Sequence, residues 1–176
     1  MENQTEYMFL KALQYKSAKK ALAKKLDNSS VREVNTKPIQ TVGIVINADE
    51  TNEVAQIVAG LKLNAEIDVL CYHKDFKKTR ELKYPVFYEK DFGWKGKPKT
   101  EALQNFLDKP FDVLISYYST NVVPLQLVSG LHNANFKVGI AGSDQEIHDL
   151  IIQTTTNEIA TFTKELHTYL HILNKL

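Results

Sequence analysis

Two short polar segments hold the residues best suited to chemistry in this sequence. Each segment follows an apolar run of strand length, at 41–47 and at 111–117. Side-chain hydroxyl, amide and carboxylate groups fix the orientation of a small ligand when they converge on one pocket. The candidates for such a ligand site are Asn47, Asp49, Thr51, Ser116, Ser119, Thr120, Asn121 and Ser143.

The surrounding pattern predicts the sheet that would bring these residues together. Residues 111–117 and 136–142 are typical of buried strands, and 119–131 of a capped helix between them, which makes a βαβ crossover. Residues 41–72 predict a second crossover, with a helix that ends near residue 63. A short third strand at 84–88 and an edge strand at 148–153 complete the order 3-2-1-4-5-6.

This order predicts where a ligand would bind. Ligands of such sheets lie at the carboxyl ends of the strands where the order reverses, here between strands one and four. We therefore expect an α/β, Rossmann-like three-layer sandwich with a mostly parallel sheet over residues 38–176. A basic helix and its connection, residues 1–37, precede it, and a capping box at 155–158 opens the last helix.

The turn after the first strand argues against a nucleotide. It contains no glycine between Asn47 and Thr51, and its two acids, Asp49 and Glu50, would repel phosphate. No phosphate-loop lysine motif occurs elsewhere. The sequence predicts no cofactor.

Two further groups of residues predict neither a metal site nor a nucleophile. His167 and His171 are four residues apart on a helix, but no third ligand accompanies them, so a solvated pair is expected. Cys71 and His73 share a strand face, and Cys71 ends an apolar run, which favours a buried, unreactive thiol. No catalytic residue is predicted.

The N-terminal helix has two interpretations. Its lysines are solvated around an apolar stripe that packs on the domain, which we favour, or they contact an acidic partner, RNA or a membrane surface. Residues 1–26 carry a net charge of +4 in a chain of net charge +1. The candidates for partner contact are Lys11, Lys16, Lys19, Lys20, Lys24 and Lys25.

A segment rich in aromatic and basic residues, 73–99, allows a weaker hypothesis. Interleaved rings and lysines from Phe76 to Trp94 could stack on single-stranded nucleic acid, although anchoring a loop is the commoner role of such rings. The near-neutral charge of the chain makes nucleic acid a less favoured partner. One cysteine and no apolar run of 18 residues predict a cytoplasmic protein without a membrane span.

The central strands carry a resemblance. Residues 111–117 and 135–140, with Asp91 to Trp94, Gly96 to Lys99 and the capped last helix, resemble an uncharacterised protein family of Bacteroidota, a domain of unknown function. More distantly, the same segments resemble the N-terminal half of heptosyltransferase-type glycosyltransferases. That resemblance implies that Asp49 is nearest to their catalytic aspartate, but the Gly-Asp loop and the second domain of those enzymes are absent.

Three functions remain open from the sequence. The first is a non-catalytic binding or adaptor protein, which we favour. The second is a small-ligand-binding or glycosyltransferase-like enzyme at the carboxyl ends of the strands. The third is an RNA- or ribosome-associated protein that uses the lysine helix with the aromatic segment.

Overall fold

The computed structural model describes residues 2–28, 37–75 and 83–176. Its helices are α1 (Glu2–Asp27), α2 (Val54–Leu61), α3 (Glu101–Asp108), α4 (Val123–Leu131) and α5 (Ile159–Ile172). Its strands are β1 (Thr41–Asn47), β2 (Glu66–Tyr72), β3 (Val86–Phe87), β4 (Val113–Tyr117), β5 (Phe136–Ile140) and β6 (Leu150–Ile152). Two single-turn 3₁₀ helices, Glu89–Asp91 and Trp94–Gly96, follow β3.

The six strands form one sheet in the order β3-β2-β1-β4-β5-β6, which confirms the predicted order. Every neighbouring pair of these strands is parallel. In the centre, Ile46 of β1 is paired with Cys71 on one side and with Tyr117 on the other. Strands buried on both faces need apolar side chains in both directions, which explains why β1 and β4 are mostly apolar runs rather than alternating ones.

Helices cover both faces of the sheet and give the predicted three layers. On one face, α2 and α5 bury a core against β1 and β4, with Ile57 and Phe162 at its centre. On the other face, α1, α3 and α4 form a second core, in which Phe106 and Leu125 are buried. Loops lie at the carboxyl ends of the strands.

Two helices begin later than the sequence predicts. Helix α4 begins at Val123 instead of residue 119, with Pro124 in its first turn, where a missing N–H costs nothing. Helix α5 begins at Ile159, because the predicted Thr155–Glu158 pair forms its own turn: the Glu158 carboxylate accepts the amide and hydroxyl of Thr155, both at 2.8 Å. The strand predicted over 136–142 ends at Ile140 and turns through Gly142 at φ +91°.

Among the α1 side chains that the structure describes, the buried ones are Ala18 and Leu22 in the second half of the helix, which packs towards α4. Met8, Phe9 and Leu13, which the sequence places on the same stripe, are exposed. The packing face instead follows the polar and mixed positions Gln14, Tyr15 and Lys25. Whether residues 1–37 form a unit apart from 38–176 stays a prediction. Phe76 and most of the predicted connection at 27–38 lie outside the described residues.

Candidate functional site

The predicted ligand site is the cleft between the loops that follow β1 and β4, here called the switch-point crevice (residues 47–51 and 118–121). The side chain of Glu50 crosses it. The Ser119 amide and hydroxyl donate hydrogen bonds to Glu50 Oε2 over 2.7 and 2.8 Å. The Thr120 amide donates to Glu50 Oε1 over 3.0 Å, and the Thr120 hydroxyl donates to the same oxygen. The carboxylate therefore joins the two halves of the sheet.

Asn47, the last residue of β1, completes this arrangement. Its Nδ2 donates to Glu50 Oε1 at 2.8 Å and to the Thr120 hydroxyl at 3.0 Å. Partial burial would raise the pKa of the Glu50 carboxyl, but the hydrogen bonds from Thr120, Ser119 and Asn47 outweigh it and hold the pKa below its usual value. Glu50 is thus ionised at neutral pH, and its negative charge lies among the donors that an anionic ligand would need.

This arrangement also explains why α4 begins late. Free amides at 119 and 120 are the groups that a helix N-terminus would leave unsatisfied, and Glu50 satisfies both before the helix begins. No local pattern indicates this contact, because Glu50 and Ser119 are 69 residues apart. The signal that could have found it is an acid in a glycine-free first turn, since the loops after β1 and β4 lie on either side of the switch point.

Asp49 points away from the crevice, towards the end of β2. Its carboxylate accepts the backbone amide of Lys74 at 2.8 Å, and its other oxygen lies 3.4 Å from Nδ1 of His73. That ring nitrogen accepts the amide of Asp75 at 3.0 Å. Asp49 therefore helps to fix the loop after β2.

A polar cavity of about 410 Å³ opens beside Asp49. Three acids line it, together with Thr51, whose hydroxyl accepts the Glu53 amide at 3.2 Å. Such a lining repels phosphate and carboxylate ligands. Within the described ranges, no three acidic, histidine or cysteine side chains converge in a way that could hold a metal ion.

Ser116 lies beneath α4 and not in the crevice. Its hydroxyl is 2.7 Å from that of Ser129, which also accepts the hydroxyl of Tyr118 at 2.9 Å. All three residues are fully buried. Burial raises the pKa of Tyr118 to about 12, so this ring stays a neutral donor. The network attaches α4 to β4.

Asn121 and Ser143 belong to the neighbouring turn. Asn121 Nδ2 donates to the carbonyl of Gly142 at 2.7 Å, and the Ser143 hydroxyl donates to the carbonyl of Ile140 at 2.7 Å. A Cβ on Gly142 would lie 2.6 Å from the Ser119 carbonyl oxygen, so the two loops touch there. The structure therefore gathers Asn47, Ser119 and Thr120 around Glu50, while the other candidates bond elsewhere.

The remaining sequence candidates have local roles. Burial raises the pKa of the Cys71 thiol to about 11, which leaves it protonated and unreactive at neutral pH. His167 Nε2 contacts the carbonyl of Leu61, and His171 is exposed on the same helix. Neither arrangement holds a nucleophile.

A second cavity, of about 430 Å³, lies between α1 and residues 88–99, and is here called the α1 groove. Gln14 Nε2 donates to the carbonyl of Phe92 at 2.7 Å, and the Lys95 amide donates to the Ser17 hydroxyl at 2.8 Å. These bonds hold the helix along the loop. The lining consists of Leu10, Lys11, Gln14, Tyr15, Ala18, Lys74, Tyr88, Glu89, Lys90, Phe92, Gly93, Trp94, Lys99 and Leu127.

The loop that forms one wall of the α1 groove lies flat on α4. Gly96 has φ +71°, and a Cβ on it would lie 3.0 Å from Leu131, so a larger residue there would lift the loop. Trp94 projects from this loop, and 53% of the residue's surface is exposed. The lysine helix and the aromatic segment, 70 to 80 residues apart in sequence, are thus two walls of one groove.

Of the six lysines predicted to contact a partner, two make contacts within the chain and four are exposed. Lys11 Nζ lies 2.6 Å from Glu89 Oε1 at the α1 groove. Lys25 donates to the carbonyl of Leu131 and, at 2.7 Å, to the side chain of Asn133, where its charge suits the C-terminus of α4. The other four are exposed: Lys16, Lys19, Lys20 and Lys24.

The fold and its crevice define an α/β protein in which a carboxylate of the chain fills the point where strand order reverses. The chain belongs to a family of proteins of unknown function (DUF6913), whose model matches residues 14–173. This confirms the resemblance to a domain of unknown function; an origin in Bacteroidota and a relation to heptosyltransferases stay predictions. Comparison with curated proteins and with solved structures gave no match.

The family match begins inside α1. Residues 14–27 of the helix, with Tyr15 and Ala18 of the groove, lie within it, whereas Leu10 and Lys11 lie outside. Across the parts of the chain that the structure describes, no helix combines the length and the apolar character needed to cross a bilayer.

Proposed function

We propose that this chain is a non-catalytic binding or adaptor protein on a Rossmann-like scaffold, and that it engages its partner at the α1 groove. The observation that carries the proposal is the position of the Glu50 carboxylate. It receives five hydrogen bonds from Asn47, Ser119 and Thr120 in the place where proteins of this topology bind ligands. A site already filled by the chain leaves the groove as the better candidate for recognition.

The rival proposal is a small-ligand-binding or glycosyltransferase-like enzyme at the crevice. It would need an anionic ligand to displace Glu50 and to enter beside further acids, at an electrostatic cost. It would also need Asp49 as a base, although this carboxylate accepts the Lys74 amide at the end of β2. Both points favour the adaptor function. A cytoplasmic location, which suits the buried free Cys71, is part of the proposal.

Site-specific photo-crosslinking in the cells of origin tests this proposal. A photoreactive phenylalanine analogue replaces Trp94 in the α1 groove, or the exposed Asn157 at the polar cavity as a matched control. We expect a discrete protein adduct from position 94 and none from position 157. Adducts from position 157 alone, or none from either position, would refute the proposal.

Substitutions separate the two sites further. Asp49→Ala and Ser119→Ala should leave the adduct from position 94 unchanged, because neither residue lines the α1 groove. Leu10→Asp should abolish it, because Leu10 lines the groove and is about half exposed, so that the change places a charge there without unfolding a core. Thermal unfolding of each variant distinguishes a lost contact from a lost fold.

A further inference from the structure

Positive charge is concentrated at the α1 groove. Four lysines and one glutamate line it, although the whole chain has a net charge of only +1. Lys11 is paired with Glu89 at 2.6 Å, and Lys74 and Lys99 add further positive charge to the lining. A partner with negative charge would therefore be attracted and oriented here, since complementary potentials steer association.

The floor of the same groove is apolar. Phe92 and Leu127 are buried at its base, and Leu10 and Trp94 stand at its edges with 49% and 53% of their surface exposed. An exposed tryptophan and a half-exposed leucine in one groove that charged residues also line have the composition of a binding hot spot with a polar rim. The occupant must supply an apolar side chain as well as acidic groups.

The apolar surface continues beyond the cavity along α1. Met8 precedes Lys11 by three residues and Tyr15 by seven, so all three share a helix face, and Met8 is 66% exposed. This adds about one helical turn, roughly 5 Å, to the length of the surface. An elongated occupant suits it better than a compact small molecule.

Nucleic acid fits the groove less well. Stacking of successive bases needs several open ring faces. Tyr88 and Phe92 are buried, and the Lys90 ammonium lies 5.6 Å from the centre of the Tyr88 ring. Trp94 is left as the mostly exposed ring among the described aromatic residues of this wall.

From these features we infer that the α1 groove receives an acidic peptide segment of a partner protein, anchored by an aromatic or branched aliphatic side chain between Leu10 and Trp94. The inference rests on the proposed function and specifies its partner. Glutamate or aspartate side chains of the segment pair with Lys74 and Lys99, which line the same groove. Recognition of this kind gives affinity through the anchor and selectivity through the charges.

A random 16-residue peptide library displayed on bacteriophage, panned on the full chain, provides the probe. We expect the selected peptides to be enriched in aspartate and glutamate and to carry a Trp, Phe, Leu or Ile. A synthetic peptide from this set should bind the Lys74→Glu/Lys99→Glu variant about tenfold more weakly than the unchanged chain, as expected for two reversed rim charges. The matched variant Lys16→Glu/Lys20→Glu changes the same number of exposed lysines outside the groove and should retain the affinity.

The other outcomes separate this inference from the proposed function. Selected peptides that are neutral or basic, and that no longer bind the Leu10→Asp variant, would overturn the inference of an acidic partner. The groove would remain the binding site. Displacement of the selected peptide by oligouridylate at equal concentration would mean that the groove binds single-stranded nucleic acid and not a peptide. A selection that enriches no sequence overturns the acidic segment, and photo-crosslinking at position 94 still decides the proposed function independently.

Discussion

The carboxylate of Glu50 lies 2.7 Å from the backbone nitrogen of Ser119, across the point where the order of the strands reverses. In sheets of this order the amides after β4 are available to a ligand. Here they are bonded to a side chain 69 positions earlier in the sequence. The contact therefore makes this position a structural link between the loops after β1 and β4.

Replacing Glu50 by Gln should destabilise the fold. The amide keeps the shape, but it removes the charge and turns an NH₂ group towards the donors of Ser119 or Thr120. We expect the free energy of unfolding to fall by about 1–2 kcal/mol, the lower part of the range for hydrogen bonds to charged groups, because the carboxylate is partly exposed. Urea denaturation measures it.

Glu53→Gln is the matched control for this change. Glu53 lies in the same loop, is exposed and makes no side-chain capping bond to α2. Its replacement should change the stability by a few tenths of a kcal/mol at most. Equal losses in the two variants would mean that the crevice bonds contribute nothing specific.

The pH dependence of stability should report two carboxylates at opposite ends of the strands. Burial would raise the pKa of Asp112, but the hydrogen bonds from Gln40, Thr41 and Asn135 outweigh the effect of burial. The pKa of Asp112 is therefore lowered, as is that of Glu50. Because both folded-state pKa values lie below the unfolded ones, the unfolded chain binds more protons in this interval. Their stabilisation is complete above the unfolded values, 4.5 for Glu and 3.8 for Asp, and is lost as the pH falls further.

Urea midpoints between pH 6 and pH 3 test this expectation. Glu50→Gln and Asp112→Asn should each flatten the acid side of the profile, and their effects should add, because the residues share no partner. If the urea midpoint of the double variant falls with pH as steeply as that of the unchanged chain, other titrating groups cause the acid unfolding.

Sequence patterns sufficed for the sheet because its information is local. The β-branched run of β1 and the run of β4 each identify a buried strand, and right-handed crossovers leave few orders for six of them. The predicted start of α4 was wrong because it depends on a contact between residues that are distant in sequence. Ser119 looks like a helix cap in isolation, and only the folded chain brings Glu50 to its amide.

The walls of the α1 groove show the same limit. The sequence identifies the lysine helix and the aromatic segment, but their pairing depends on bonds such as Gln14 to Phe92 across 78 residues. The exposed Phe9 and the buried Ala18 lie on the same predicted stripe, so composition alone could not locate the packed face. Tertiary contacts decide which side of a mixed helix is covered.

Truncating Glu50 should expose a small-anion site. In Glu50→Ala the amides of Ser119 and Thr120, with Nδ2 of Asn47, lose their carboxylate and remain as converging donors. Sodium acetate should raise the melting temperature of this variant above its value in sodium chloride of equal ionic strength, since a ligand of the folded state stabilises by mass action. The unchanged chain is the control and should show no difference between the salts. The same response in both proteins would place the acetate effect elsewhere.

The packing of α1 on α4 includes one close approach. Gly130 of α4 faces Leu22 of α1, and a Cβ at position 130 would collide with the Leu22 side chain. We therefore expect Gly130→Ala to loosen α1, although alanine favours helix formation, and to cost about 1–3 kcal/mol through overpacking. Emission of Trp94, the single tryptophan, should shift towards red, because the 3₁₀ turn that carries it contacts α1.

Leu22→Ala gives the complementary change and makes the cause testable. Alone it removes a buried side chain and should cost about 2–3 kcal/mol. Combined with Gly130→Ala it removes the collision, so the double variant should be more stable than the sum of the two single losses predicts, by at least 0.5 kcal/mol. Strictly additive losses would show that Gly130→Ala destabilises α4 itself and not its contact with Leu22. The geometry of the α1 groove would then not depend on this contact.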